Sequence, residues 1–282
     1  TFVMDRIKGL LLAALLGGPL LALVFWFFSA AGGAAWIYAW LAISAFQLVV
    51  MFIAPVLILP LFNKFTPLPE GDLRFAIEEY ARAQGLAVSG IFTMDGSKRS
   101  SKANAFFTGF GRFRRIVLFD TLVKNHSTGE LVAVLAHETG HYRLHHIPLM
   151  LALSTGQAGL LCFLLSLFIG SPLLAQAFGL DAPTVYSGLV GFSLLYTPLG
   201  MALGLFINAI VRHHEYAADA FAARTTGSPE ALVSALKKLG RDTLSNLTPH
   251  PLKVALAYSH PPLGPRLAAL HRQGAGPQPT GK

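Results

Sequence analysis

No charged residue occurs from Gly9 to Asn63. Two helices of about 20 residues each fit in that run, enough for each to cross a bilayer. Gly32-Gly33 is the expected turn between them, and Pro19, Pro55 and Pro60 are expected to kink or end helices. Trp36, Tyr38 and Trp40 stand near the turn, where an aromatic belt belongs. A second uncharged stretch runs from Ile147 to Leu180 and a third from Ala182 to Val211, separated only by Asp181. They read as a second transmembrane hairpin.

Composition agrees with this reading. Of the 282 residues 53% are hydrophobic and 13% are charged, against roughly a quarter charged in soluble domains. The net charge of +8 would suit nucleic acid in a soluble protein. Here the basic residues flank apolar segments, so an anionic membrane surface is the expected partner and nucleic acid is not. The turns within the hairpins carry no Lys or Arg, while Arg6, Lys8, Lys64, Arg143 and Arg212 adjoin span ends. The positive-inside rule then puts every polar segment in the cytosol. That means the inner membrane of a bacterium or the endoplasmic reticulum membrane of a eukaryote. Cys162 is the single cysteine, which excludes an internal disulfide and Cys-rich metal sites. The chain begins at Thr1 and not Met, so removal of something upstream is an expectation, and the first apolar run is too long for a signal peptide.

Between the hairpins the composition turns soluble. A helix is predicted over Leu73–Gln84, closed by Gly85. Short β-type runs at Ile91–Met94, Ala103–Thr108 and Arg115–Phe119, punctuated by Gly109 and Gly111, predict a small antiparallel unit. Ser127-Thr128-Gly129-Glu130 is a capping-box pattern opening the next helix. A further helix is predicted from Ser228-Pro229-Glu230 to near Gly240. The expected division is a hairpin over 1–63, a cytosolic α+β segment over 64–146 and a second hairpin over 147–211. A cytosolic helical segment over 212–272 and a disordered tail over 273–282 complete it. The expected fold class is a mostly α multi-pass membrane protein with a small α+β domain.

His137-Glu138-Thr139-Gly140-His141 matches H-E-x-x-H. Positions four apart share one helix face, so two imidazoles can hold one Zn2+ per chain. Glu138 would take a proton from the attacking water and pass it to the leaving amine of a peptide bond. Ten His and seven Glu make ~0.01 chance matches to this pattern. The metzincin continuation fails, because Leu144 and Ile147 stand where Gly and His would be needed. A Glu from another helix can complete a His2Glu site. His213-His214-Glu215-Tyr216-Ala217-Ala218-Asp219 offers Glu215 as ligand and Asp219 as hydrogen-bond acceptor for a ligand imidazole. The intervening hairpin returns this segment to the same side of the membrane as His137. His145, His146, His213 and His214 are read as structural or interfacial residues. His260, followed by two prolines, could donate to the oxyanion of the tetrahedral intermediate. Asn104 and Ala105 lie in a β-type run, and an edge strand there could pair with an extended peptide.

These residues resemble the type I CAAX prenyl proteases, integral-membrane zinc endopeptidases of the His2Glu gluzincin type. The resemblance runs through Ile53-Ala54-Pro55, Leu61 to Gly71, Gly96 to Ser101, Asn104 to Phe107, Arg115 to Leu122, the zinc motif, Glu215 to Ala222, and Tyr258-Ser259-His260-Pro261-Pro262-Leu263. It implies Glu215 as third ligand and Asp219 behind the site. Asn104 and Ala105 become substrate-strand contacts, with Arg212 counted beside them, and His260 a substrate or transition-state contact. The implied substrate is a protein prenylated at a C-terminal CaaX cysteine and trimmed of its last three residues. Members of that family carry seven spans, and the four here correspond to the last four. A heat-shock-induced membrane protease of quality-control type has four spans and a similar motif, but the Gly96–Ser101 and Tyr258–Leu263 blocks favour the prenyl protease. Glu138 argues against a non-catalytic scaffold, and spans without ionisable residues argue against a transporter.

Overall fold

A computed structural model describes residues 1–109, 111 and 114–274. They fall into two compact units. One comprises Thr1–Ala54 and Pro148–Leu203, the other Pro55–Ile147 and the chain from Gly204 on.

The first unit is helical. Helices α1 (Phe2–Leu12) and α2 (Gly18–Ala30) run together through a π turn at Ala13–Gly17, just ahead of Pro19. A 3-10 turn at Gly32–Ala34 reverses the chain, with Gly32 at a φ of 55° that favours glycine. Helix α3 (Ala35–Ile53) leads through a second π turn, at Pro55, into α4 (Leu59–Phe62). Further on, α8 (His146–Phe168), the short α9 (Pro172–Ala177) and the 42-residue α10 (Val185–Thr226) follow. Among the described residues, four helices are long and apolar enough to cross a membrane: Phe2–Ala30, Gly32–Phe62, His146–Phe168 and Val185–Thr226. Phe28, Ala35, Ala39, Cys162, Leu165 and Phe192 form the core of this unit. Two polar pairs link its helices, as polar groups do in apolar surroundings. Trp40 Nε1 donates to the Thr155 carbonyl at 2.9 Å, and Gln47 Nε2 to Ser154 Oγ at 2.6 Å.

The second unit holds a four-stranded sheet in the order β1-β2-β4-β3. The strands are β1 (Phe65–Pro67), β2 (Gly90–Met94), β3 (Ala105–Thr108) and β4 (Arg115–Phe119). The expected antiparallel pairing holds for β3 with β4 but not for β2 with β4, which run parallel. The reason is placement: β4 runs in the direction of β2, and because β3 lies outside β4 instead of between the two, β2 and β4 become direct neighbours. β1, absent from the sequence-based expectation, pairs antiparallel with β2.

Helix α5 (Asp72–Ala83) ends with Gly85 in the left-handed region at φ 59°. The short α6 (Asp120–Asn125) follows β4 directly, and α7 (Thr128–Arg143) carries the H-E-x-x-H motif. Helices α11 (Pro229–Asp242), α12 (Pro251–Ala257) and α13 (Leu263–Gly274) complete the unit. Ile77, Ile116, Leu118, Leu131, Leu135 and Leu232 are among the residues of its core. Helix α13 continues through Gln273 and Gly274; the rest of the expected tail, from 275, lies outside the described residues.

One buried carboxylate ties α7 to α11. The capping box forms as predicted: Glu130 N–H donates to Ser127 Oγ, and Ser127 N–H to Glu130 Oε2. The same carboxylate accepts from Ser234 Oγ at 2.6 Å and pairs with Lys238 Nζ at 2.7 Å. Burial by itself would raise this acid. The lysine, the hydroxyl and the backbone N–H overcome that and hold it at about 2, below the ordinary 4.5. Its contribution to stability is therefore whole above pH 4.5 and drains away as pH falls from there towards 2. Glu130→Gln should lower stability by about 2 kcal/mol at pH 7. The gap to wild type should close as pH drops below 4.5. Thermal unfolding in detergent measures it, and a gap that does not depend on pH would remove the ion pair as its source.

Candidate metal centre and active site

Helix α7 presents His137 and His141 on one face, and α10 crosses it with Glu215. Gly140 allows the crossing. A Cβ there would stand 3.0 Å from the Ala218 Cα and 3.2 Å from both the Ala218 carbonyl oxygen and the Phe221 Cβ. Two backbones meet at that point, and a larger residue would push Glu215 away from the histidines.

The two imidazole Nε2 atoms are 3.1 Å apart. Glu215 Oε1 is 3.4 Å from His141 Nε2, and Glu215 Oε2 is 3.6 Å from His137 Nε2. Two nitrogens each about 2.05 Å from a tetrahedral zinc stand about 3.3 Å apart. The donors thus have the chemistry and the spacing that zinc requires. Among the described residues, His137, His141 and Glu215 are the one group of three ligating side chains, with all donor atoms within 4.8 Å.

Each histidine is held from behind. His137 Nδ1 lies 2.9 Å from Asp219 Oδ1, which directs its Nε2 lone pair into the cluster. His141 Nδ1 lies 3.0 Å from His146 Nδ1, and His146 stacks on His214 at 3.9 Å between ring centroids. His146 could not be placed from spacing. Five positions along a continuous helix it would point away from His141. Instead His145 takes a left-handed φ of 57°, breaking α7 from α8 and turning His146 back.

Arg266, on α13, also escapes sequence reasoning. It donates through Nε to Asp219 Oδ2 at 2.8 Å and through Nη2 to Asp219 Oδ1 at 2.7 Å. Its Nη1 is 3.4 Å from Glu215 Oε2. Glu215 and Asp219 are almost wholly buried, 3% and 1% exposed. One guanidinium compensates both charges. The only sequence signal is a lone arginine in an otherwise apolar helix start.

The remaining predicted residues divide. Glu138, half-buried, lines one pocket with His137, Glu215, His260, Asn104 and Arg266. Burial pushes its carboxyl above the ordinary value, against the pull of His137 and His141. His260 Nδ1 stands 3.1 Å from Glu215 Oε1. β3 is an edge strand. Asn104 O accepts from Phe119 N–H, so strand alternation points the Ala105 N–H and carbonyl away from β4. The Asn104 side chain caps that N–H at 2.9 Å. Arg212 does not face the pocket lining. Its guanidinium donates to the carbonyls of Val254 at 3.1 Å and Tyr258 at 2.8 Å. The pocket, about 210 Å³, has an apolar wall of Leu122, Val134, Leu232, Leu236 and Leu239.

An H-E-x-x-H helix crossed by a glutamate-bearing helix, beside a small mixed sheet with an open edge strand, is a zincin-like metallopeptidase domain. Here it is built into a multi-pass membrane protein. Residues 67–273 match the model of Peptidase family M48, and residues 1–64 match that described as CAAX prenyl protease N-terminal, five membrane helices. The chain belongs to peptidase family M48, whose metal is zinc. It is 41% identical over 274 residues to the CAAX prenyl protease 1 homolog of Arabidopsis thaliana, a match covering 95% of this chain and 63% of that protein. It is 39% identical over 285 residues to CAAX prenyl protease 1 of Saccharomyces cerevisiae, with the same coverages. The crystal structure of S. mikatae Ste24p superposes with a TM-score of 0.89 at 38% identity, over 95% of this chain and 66% of that one. The chain therefore spans less than two thirds of the length of each of these relatives.

Proposed function

We propose that this chain is a zinc endopeptidase working at the cytosolic face of its membrane, on the C-terminal end of proteins carrying a prenylated CaaX cysteine. The observation that carries the reading is one pocket in which Glu138, with its raised pKa, lies with the donors His137 and Glu215, with His260, with Asn104 just ahead of the edge strand β3, and with an apolar wall.

When bound, zinc polarises the scissile carbonyl and eases ionisation of a water near neutral pH. The chain's own residues supply the rest. The Asn104 side chain, which covers the Ala105 N–H, gives way to an extended peptide that pairs with the outward backbone groups of Ala105, a residue 1% exposed without it. The leucines opposite take an aliphatic side chain, which suits the two aliphatic positions of CaaX. Glu138 accepts the water's proton and passes it to the leaving amine. His260, at the rim, donates to the oxygen that gains charge at the carbonyl carbon. Asp219 and Arg266 keep His137 in the tautomer that leaves Nε2 free. Arg212 serves by fixing the backbone that leads to His260, in place of the direct substrate contact expected from sequence.

The names of the matched relatives support C-terminal processing. The basic residues at span ends, with none in the hairpin turns, support the cytosolic side. The membrane is then the inner membrane in a bacterium or the endoplasmic reticulum in a eukaryote.

Two peptides test the reading, identical except for a farnesyl group on the cysteine of a C-terminal CaaX sequence. The purified chain should cleave the farnesylated one with the higher kcat/KM, releasing three residues. Equal cleavage of both would replace prenyl specificity with a broader peptidase role. Cleavage of neither would sink the reading for this chain.

A further inference from the structure

The segment between α11 and His260 carries more exposed apolar surface than a water-facing loop should. Leu244 is 90% exposed, Leu247 63% and Leu252 61%. Leu252 and Leu256 sit four apart on one face of α12, and both are exposed.

Leu244 is also held in an unfavourable conformation. Helix α11 ends in a Schellman motif: Ser245 N–H donates to the Gly240 carbonyl, and Leu244 N–H to that of Arg241. The residue after the cap in this motif is normally glycine, because it must be left-handed. Leu244 occupies it at φ 50°. A leucine strained and exposed together makes sense where its side chain contacts something apolar.

The location of α12 shows what that is. Asn208 Nδ2 donates to the Leu256 carbonyl at 3.2 Å, and Arg212 grips Val254 and Tyr258 on either side. Asn208 lies in the last turn of the charge-free run of α10, which ends at Val211. α12 is thus fastened to a membrane-spanning helix at the level where its apolar run stops. At the same level of α10, on the side turned away from α12, Phe206 is 76% exposed. The leucines of α12 add exposed apolar surface at that level.

We infer that residues 244–256 form an interfacial anchor whose leucines rest in the bilayer at the boundary between headgroups and acyl chains, where amphipathic segments lie parallel to the membrane. The polypeptide leaves this anchor three residues before His260, so lipid contact holds in place the loop that carries His260. The inference rests on the chain spanning a membrane and is independent of any catalytic activity.

Fluorescence quenching tests it in phosphatidylcholine–phosphatidylglycerol vesicles with no substrate present. Cys162, the one native cysteine, is buried; Cys162→Ala gives a background for Leu247→Cys and Leu252→Cys, each labelled with bimane. Glu79→Cys, on the exposed face of α5, is the water-facing reference. Acyl-chain doxyl lipid should quench the labels at 247 and 252 several-fold more than at 79, and aqueous iodide should do the reverse. Iodide quenching at 247 and 252 equal to that at 79, with no effect of doxyl lipid, would overturn the anchor. Shielding from both quenchers together with disulfide cross-linking of 247 between two chains would overturn it in favour of a second copy on this face.

Discussion

Glu138→Gln is expected to bind zinc as wild type does and to lose about 10²–10⁴-fold in kcat. The amide has the carboxylate's shape, so the pocket lined by His137, Glu215 and His260 is preserved. It cannot accept a proton at neutral pH, so neither activation of water nor protonation of the leaving amine proceeds through this side chain. Burial already raises the Glu138 carboxyl, which brings it nearer the pKa of an efficient base at working pH. Metal content by mass spectrometry and turnover on a CaaX peptide, measured on one preparation, separate the two properties. Glu215→Ala should show the opposite pattern, losing zinc first because it removes one of the three donors. Normal turnover by Glu138→Gln, or full zinc occupancy in Glu215→Ala, would each remove the corresponding role.

Arg266→Met is expected to be the most damaging substitution outside the donors. Methionine fills much of the same volume but leaves Asp219 and Glu215 buried without their shared cation. Breaking a buried pair by removing one partner costs about 3–5 kcal/mol. Part of that loss should appear in the metal site. Asp219, freed from the bidentate grip, no longer fixes His137, and zinc affinity should fall about 10–100-fold. Arg266→Lys should recover part of both, since an ammonium restores the charge but not the two parallel hydrogen bonds. Thermal unfolding and zinc competition against a chelating dye measure the two effects. An Arg266→Met protein with wild-type melting and zinc affinity would contradict the arrangement.

Much of this centre was legible because it depends on local spacing. His137 and His141 share a face at four residues apart, and Ser127 with Glu130 marks the start of their helix, since capping is completed within one turn. Glu215 and Asp219 were legible as a second pair at the same spacing, once the intervening spans were recognised as a return to the same side. The sheet was less legible. Runs of β-type residues mark strands, but the parallel pairing of β2 with β4 depends on which side of β4 is taken by β3. Nothing within those runs encodes that choice. Arg212 shows the same limit: its partners are the carbonyls of Val254 in α12 and of Tyr258 just beyond it, more than forty residues away.

The sequence by itself determined the four long apolar helices and the helix that carries His137, Glu138 and His141. Charge-free length and fourfold spacing act through the nearest neighbours in the chain and need no knowledge of the fold. Only the tertiary structure decided that Arg266 compensates two buried acids, that His146 supports His141, and that Asn104 and a leucine wall line one pocket with Glu138. Those contacts join residues far apart in sequence, and they are set by how closely α7 and α10 cross at Gly140 and by the left-handed break at His145. Both are packing outcomes, in which the close approach of two backbones selects among arrangements that local propensity leaves equally open.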